Sequence, residues 1–197
     1  MVFCCFYYTM QDYKAVVIGG SAGSFQVVVK ILQSLPKNFD YPVLLCLHRL
    51  KHVRSGFAEA LSLKSNIPVI EPHDKTHIKP GTGYLAPANY HMYVELANQI
   101  SLSTEEAVNH SRPAIDLTFM SAALAYRQKL IGIILSGANR DGARGMKKIA
   151  ELGGTTIVQD PQECEVSTMT EATLNMTQVT HVYKTDQMIQ FLRNISK

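Results

Sequence analysis

The stretch AVVIGGSAGSFQ (residues 15–26) constrains the fold more than any other, because an apolar run, AVVIG, passes through Gly20-Ser21-Ala22-Gly23 directly into a helical pattern. From Ser24 to Leu35 the apolar residues Val27, Val28, Ile31, Leu32 and Leu35 recur on one helix face, and Pro36 stops the pattern. A second aliphatic run, YPVLLCL (41–47), comes next. Strand, helix and strand in this order make a βαβ unit, and apolarity that is continuous rather than alternating requires strands covered on both faces.

The same alternation runs along the rest of the chain. Gly56 to Leu63 reads as a helix, Pro68 to Ile70 as a short strand, and Pro113 opens a helix over Ala114 to Arg127, where a first-turn proline loses no needed N–H. LIGIILSG (130–137) and TTIVQ (155–159) read as buried strands and ARGMKKIAEL (143–152) as the helix between them. Residues 170–176 and 185–195 read as helices around the short strand VTHVY. GYLAP, HMYVEL and QISLS alternate and are separated by turn residues, which predicts antiparallel hairpins around residues 81–104. The expected fold class is α/β: a doubly wound, mostly parallel, Rossmann-like sheet with that hairpin region attached.

A length of 197 residues suits one domain, read as residues 13–197 after an irregular extension at 1–12. The extension, which begins MVFCCFYYTM, lacks the basic start and cleavage site of a signal peptide and falls far short of the roughly 20 apolar residues of a membrane span. No membrane insertion is expected. With 46% hydrophobic and 18% charged residues and a net charge of +3, nothing calls for a nucleic-acid partner. Cys4, Cys5, Cys46 and Cys164 form no CxxC pair or metal-ligand spacing, which fits a reducing cytoplasm.

Open α/β sheets bind ligands beyond the carboxyl ends of their strands. Three residues stand there: Ser21 after the first strand, His48 after the second and Asp141 after LIGIILSG. Serine becomes nucleophilic when a base accepts its proton; imidazole suits that role, and a carboxylate on its other ring nitrogen fixes the tautomer. Gly19 to Gly23 satisfies the G-x-S-x-G elbow, and the following helix directs its N–H groups toward developing negative charge. A glycine-rich strand-to-helix turn also serves as a phosphate or dinucleotide cradle, and a nucleotide-binding protein is an alternative reading. Against it, the G-x-G-x-x-G spacing fails at Ser21 and His48 stands where a ribose-binding acid is expected.

Of the other histidines, His52, His73, His77 and His110 fall in polar loops and read as solvated, and His181 as structural within its strand. His91 opens a hairpin strand and is a candidate for the rim of the site. Their scatter matches no zinc motif, so no metal and no cofactor are expected. Cys46 shares a strand face with His48 but reads as packing. Asp116 reads as serving the first turn of its own helix, and Arg112 as holding a loop carboxylate or contacting substrate. HRLKHVR (48–54) reads as a solvated loop or as a patch that steers acidic partners.

With these residues in place, the chain resembles the catalytic domain of the chemotaxis-type protein-glutamate methylesterases, the CheB family. That family carries a G-[AG]-S-[TA]-G-G turn, a [QL]-H after the second strand and a late [ST]-G-x-x-x-D-G-A. This sequence has GGSAGS, LHR and SGANRDGARGM, with YLAPANYHM and SRPAIDLTFMSAA between them resembling YIAPxxxHM and RPSIDVLFxSxA. The similarity runs over residues 14–195 and leaves too few residues before Lys14 for a receiver domain, which predicts a stand-alone form. The resemblance implies hydrolysis of glutamate γ-methyl esters, with deamidation of glutamines, on methyl-accepting receptors or other signalling proteins. It implies Ser21 as nucleophile, His48 as general acid and base, Asp141 as orienting carboxylate, and backbone N–H groups near Ala22 and Ala138 as oxyanion donors. The loops depart from the family pattern at Ala22, Ser24, Ala138-Asn139-Arg140 and Thr168-Met169-Thr170, so that Asn139 and Met169, with His91 and Arg112, are candidate substrate contacts. A non-catalytic module that binds a methyltransferase, a trans-acting regulator or another signalling partner is the alternative from a different class.

Overall fold

The computed structural model describes residues 12–48 and 56–196. The expected extension, apart from Asp12, and the basic stretch beyond His48 lie outside the described residues. In chain order the elements are β1 (Ala15–Gly20), α1 (Phe25–Ser34), β2 (Val43–Leu47), α2 (Phe57–Lys64), β3 (Val69–Ile70), β4 (Gly83–Leu85), β5 (His91–Glu95) and β6 (Gln99–Ser103). They continue with α3 (Ile115–Tyr126), β7 (Leu130–Ile134), α4 (Ala143–Glu151), β8 (Thr155–Gln159), α5 (Thr168–Met176), β9 (His181–Tyr183) and α6 (Thr185–Ile195).

Seven strands form one parallel sheet in the order β3-β4-β2-β1-β7-β8-β9. The period-2 alternation of the strands divides their side chains between two cores. Val16, Ile18, Val43, Leu45, Leu47, Ile131 and Ile133 pack with α1, α2 and α6 on one face. Ala15, Val17, Leu44, Cys46, Leu130 and Ile134 pack with α3, α4 and β5 on the other. Each fully buried Leu or Ile contributes about 1.5–3 kcal/mol, which is why these strands carry apolar residues on both sides.

Two expectations need correction. GYLAP is not part of a hairpin: β4 pairs in parallel with both β2 and β3, and Gly83, Tyr84 and Leu85 are all buried. The phenol of Tyr84 explains the polar look of the segment, since its oxygen accepts from Lys79 N–H and donates to His77 O from within the core. Among the strands of the described residues, β5 and β6 form the antiparallel pair, from His91 opposite Ser103 to Glu95 opposite Gln99. This hairpin lies on α3, where Thr118 Oγ1 donates to Met92 O at 2.8 Å and Ser121 Oγ accepts from Val94 N at 3.0 Å. Pro113 also stands outside α3 rather than in its first turn; the helix starts at Ile115, whose N–H donates to the Asp141 carboxylate.

Candidate active site

β1 lies between β2, reached early in the chain, and β7, reached after the hairpin, so the crevice at its carboxyl end is the topological switch point of the sheet. Three hydrogen bonds set the elbow there. Ser21 N–H donates to Ser136 O at 2.9 Å and His48 N–H to Gly20 O at 3.0 Å. Ser24 Oγ donates to Ser21 O at 2.7 Å. The turn can close this tightly because Gly20 lacks a side chain: a Cβ there would lie 2.6 Å from both Ser24 Cβ and Ser24 Oγ. Gly23 adopts φ +78°, a conformation that favours glycine.

His48 and Asp141, 93 residues apart, meet beside this elbow, with His48 Nε2 2.8 Å from Asp141 Oδ2. The Asp141 side chain is fully buried and the imidazole is 12% exposed. The N-terminus of α3 supports the carboxylate, Ile115 N–H donating to Oδ2 at 2.7 Å and Asp116 N–H to Oδ1 at 3.1 Å. Burial alone would raise the Asp141 pKa, but the His48 hydrogen bond, these two backbone donors and the imidazole charge outweigh it and hold the carboxyl below its usual value. A carboxylate can only accept, so neutral His48 carries its proton on Nε2 and has its lone pair on Nδ1. No hydrogen bond joins the Ser21 hydroxyl to the imidazole among the described residues.

The remaining candidates divide between the rim and the support beneath it. Ala22 and Ala138 are exposed on adjacent loops. Ser136 ties these loops together: its hydroxyl lies 2.7 Å from Ala22 O and 3.0 Å from Val166 O, and accepts from Val166 N–H. Asn139 Oδ1 accepts from Asp141 N–H at 3.0 Å, closing the turn that delivers the carboxylate. Met169 does not line the surface; it is fully buried against Gly137, where a Cβ would lie 2.6 Å from its Cε. His91 does not reach the rim either. It is fully buried, accepts from Ala114 N–H through Nδ1 at 3.2 Å and donates from Nε2 to Glu106 O at 3.0 Å. Arg112 holds backbone rather than a carboxylate, donating to Thr104 O at 2.6 Å and Glu105 O at 2.8 Å.

Asp116 does not serve its own helix. Its buried Oδ1 accepts from Gly142 N–H at 3.0 Å and Gly145 N–H at 2.8 Å, both at the start of α4, and Oδ2 accepts from Arg144 Nε at 3.0 Å. Burial pushes the Cys46 thiol far above its usual pKa and leaves it un-ionised. Ser136, inside the LIGIILSG run, and Asn109 carry no sequence signal of their roles. Among the described residues no group of three His, Cys, Asp or Glu side chains could hold a metal, and no helix is long and apolar enough to cross a membrane.

The sequence matches the CheB methylesterase family over residues 16–192. A Leptospira interrogans protein named as a putative protein-glutamate methylesterase/protein-glutamine glutaminase is 40% identical over 184 residues, covering 93% of this chain and 95% of that protein. A Thermotoga maritima protein-glutamate methylesterase/protein-glutamine glutaminase is 34% identical over 168 residues, 82% of this chain but 48% of its own length. The crystal structure of the Thermotoga maritima CheB methylesterase catalytic domain superposes with a TM-score of 0.88 at 31% identity, over 93% of this chain and 98% of that one. Agreement in sequence along almost the whole chain, together with agreement in fold, means that the chain belongs to the CheB methylesterase family.

Proposed function

We propose that the protein hydrolyses glutamate γ-methyl esters on a signalling protein through an acyl-enzyme at Ser21, and deamidates glutamine side chains by the same route. The observation that carries this reading is the bond from His48 Nε2 to the buried Asp141, which leaves Nδ1 as the proton acceptor beside the elbow. Nδ1 takes the Ser21 proton as Oγ attacks the ester carbonyl, and the imidazolium that forms is stabilised by Asp141. Backbone N–H groups near Ala22 and Ala138, with the N-terminus of α1, face the developing oxyanion. The imidazolium returns its proton to the leaving ester oxygen, releasing methanol, or to the leaving amide nitrogen, releasing ammonia. Water then attacks the acyl-enzyme with His48 again as base, giving the glutamate carboxylate and free Ser21.

The partner is a methyl-esterified receptor or other signalling protein, and the setting is the cytoplasm, which suits Cys46 and Cys164 as free thiols. A groove of about 410 Å³ lined by Arg140, Thr168, Glu171, Ala172, Asn175 and Met176 opens next to the Asp141 loop and gives a polypeptide substrate a place to lie. The missing Ser21–His48 hydrogen bond favours a second reading, a partner-binding module that keeps the cleft without turnover. A serine-directed phosphonate separates the two. The enzyme is labelled at Ser21 and releases methanol from a methylated receptor, and Ser21→Ala loses both, with turnover down about 10⁴- to 10⁶-fold. Folded wild-type protein that resists the phosphonate and releases no methanol overturns the proposal.

A further inference from the structure

We infer that Asp116 is a positioning residue for this chemistry, acting through an exchange of helix caps with Asp141 in which the Asn109 amide bridges the two carboxylates. The inference rests on the catalytic reading of Ser21, His48 and Asp141.

A helix N-terminus leaves N–H groups unpaired and partly positive, and an acidic residue just before or inside the first turn is the usual partner for its own helix. Here each helix is served by the other's acid. Asp141 stands immediately before the Gly142 cap of α4, yet its oxygens accept from Ile115 and Asp116 N–H, the first two helical residues of α3. Asp116, the second residue of α3, accepts instead from Gly142 and Gly145 N–H of α4. The exchange closes a ring that neither helix can leave without unpairing buried donors of the other.

The ring holds two buried carboxylates, Asp116 at 1% exposure and Asp141 at 0%, which would repel each other if nothing stood between them. Asn109 does. Its Nδ2 lies 3.3 Å from Asp116 Oδ2 and 3.3 Å from Asp141 Oδ1. The backbone there has φ +51°, a conformation that asparagine and aspartate tolerate better than other side chains. Arg144, reaching in from α4, offsets charge on Asp116. Thus Oδ1 of Asp141 is held by Asp116 N–H and the Asn109 amide, and Oδ2 is left pointing at Ile115 N–H and His48 Nε2. Among the described residues, the charged groups on the Asp141 side of His48 are Asp141 directly and Asp116 with Arg144 behind it; the Cys46 thiol on β2 is neutral. Asp116 touches no reacting atom and acts by fixing the rotamer and charge of the residue that does.

Asp116→Asn keeps one oxygen for Gly142 and Gly145 but turns an NH₂ group toward Arg144 and Asn109, and removes a negative charge behind His48. The expected result is a kcat for methyl-ester hydrolysis lowered between about 10- and 100-fold with KM within about twofold, as for a slightly misplaced catalytic group. The acid limb of the pH–rate profile moves to lower pH, because the imidazolium is less favoured. Asn109→Asp adds a negative charge at the same place and moves the limb the other way, to higher pH. Rates are taken per phosphonate-titrated Ser21, so loss of folded protein does not count. A cap that only stabilises the fold lowers the melting temperature while kcat per titrated site and the acid limb stay at wild-type values in both variants, and that result overturns the inference. If Asp116→Asn does not fold, Asn109→Asp decides: an unmoved acid limb refutes the role. Wild-type protein that is neither labelled nor active overturns the catalytic reading itself, an outcome distinct from the failure of either variant.

Discussion

Asp141→Asn strikes the side chain on which both the imidazole and a helix start depend. Asp141 Oδ2 receives His48 Nε2–H and Ile115 N–H, while Oδ1 receives Asp116 N–H and the Asn109 amide. An asparagine has only one acceptor oxygen, so in either orientation its NH₂ group meets two donors. If it faces His48, the imidazole must turn its proton to Nδ1 and cannot accept from Ser21, and Ile115 N–H loses its acceptor; if it faces Asp116, Asp116 N–H loses its acceptor instead. Turnover is expected to fall about 10⁴-fold, the scale seen when a serine-hydrolase triad is left in the wrong tautomer. One buried backbone donor left unpaired, at about 1–3 kcal/mol, lowers stability by that amount. For a chain of this size that is a melting temperature roughly 2–12 °C lower. The wild-type advantage depends on pH in a defined direction: because the Asp141 pKa is lowered by folding, the advantage is complete above the ordinary carboxyl pKa and disappears as pH falls through the lowered value. Thermal melts of both proteins from pH 3 to 8, with turnover at neutral pH, are the assay. Melting temperatures within about 1 °C at pH 7, or turnover within a few fold, refute this account of Asp141.

Gly20→Ala places a Cβ 2.6 Å from Ser24 Cβ and Oγ and 3.3 Å from Leu135 Cβ, so the elbow must open; phosphonate labelling of Ser21 should slow by about 100-fold, and an unchanged labelling rate contradicts the close approach. His91→Ala unpairs Ala114 N–H and Glu106 O, neither of them a partner of Ser21, His48 or Asp141, and should lower stability by about 2–4 kcal/mol in denaturant titrations while folded protein still labels fully at Ser21. Lost labelling in folded protein would return His91 to the rim.

What the sequence revealed depended on how local the cause was. β1, α1 and β2 were readable because continuous apolar runs and the stripe from Val27 to Leu35 are properties of neighbouring residues. Given a parallel sheet, the positions after β1, β2 and β7 follow from topology, which drew attention to Ser21, His48 and Asp141. Tyr84 defeated the pattern because one buried phenol mimics the polar half of an alternating strand. Asp116 and His91 were misplaced for a related reason: their partners lie 26 or 29 and 23 residues away, and nothing in the local sequence marks a carboxylate or an imidazole that will serve a distant backbone N–H. Asn109 is bound to Asp141 across 32 residues and carries no signal of its own.

The orientation of the imidazole is the claim on which the mechanism stands, and nitrogen NMR of protein labelled with ¹⁵N-histidine measures it. Comparison with His48→Gln assigns the signals. Neutral His48 is expected to hold its proton on Nε2, against Asp141, with Nδ1 unprotonated until Ser21 attacks the phosphonate and an anionic adduct forms beside it, when both nitrogens become protonated. A neutral imidazole with its proton on Nδ1, unchanged when Ser21 is modified, contradicts that claim.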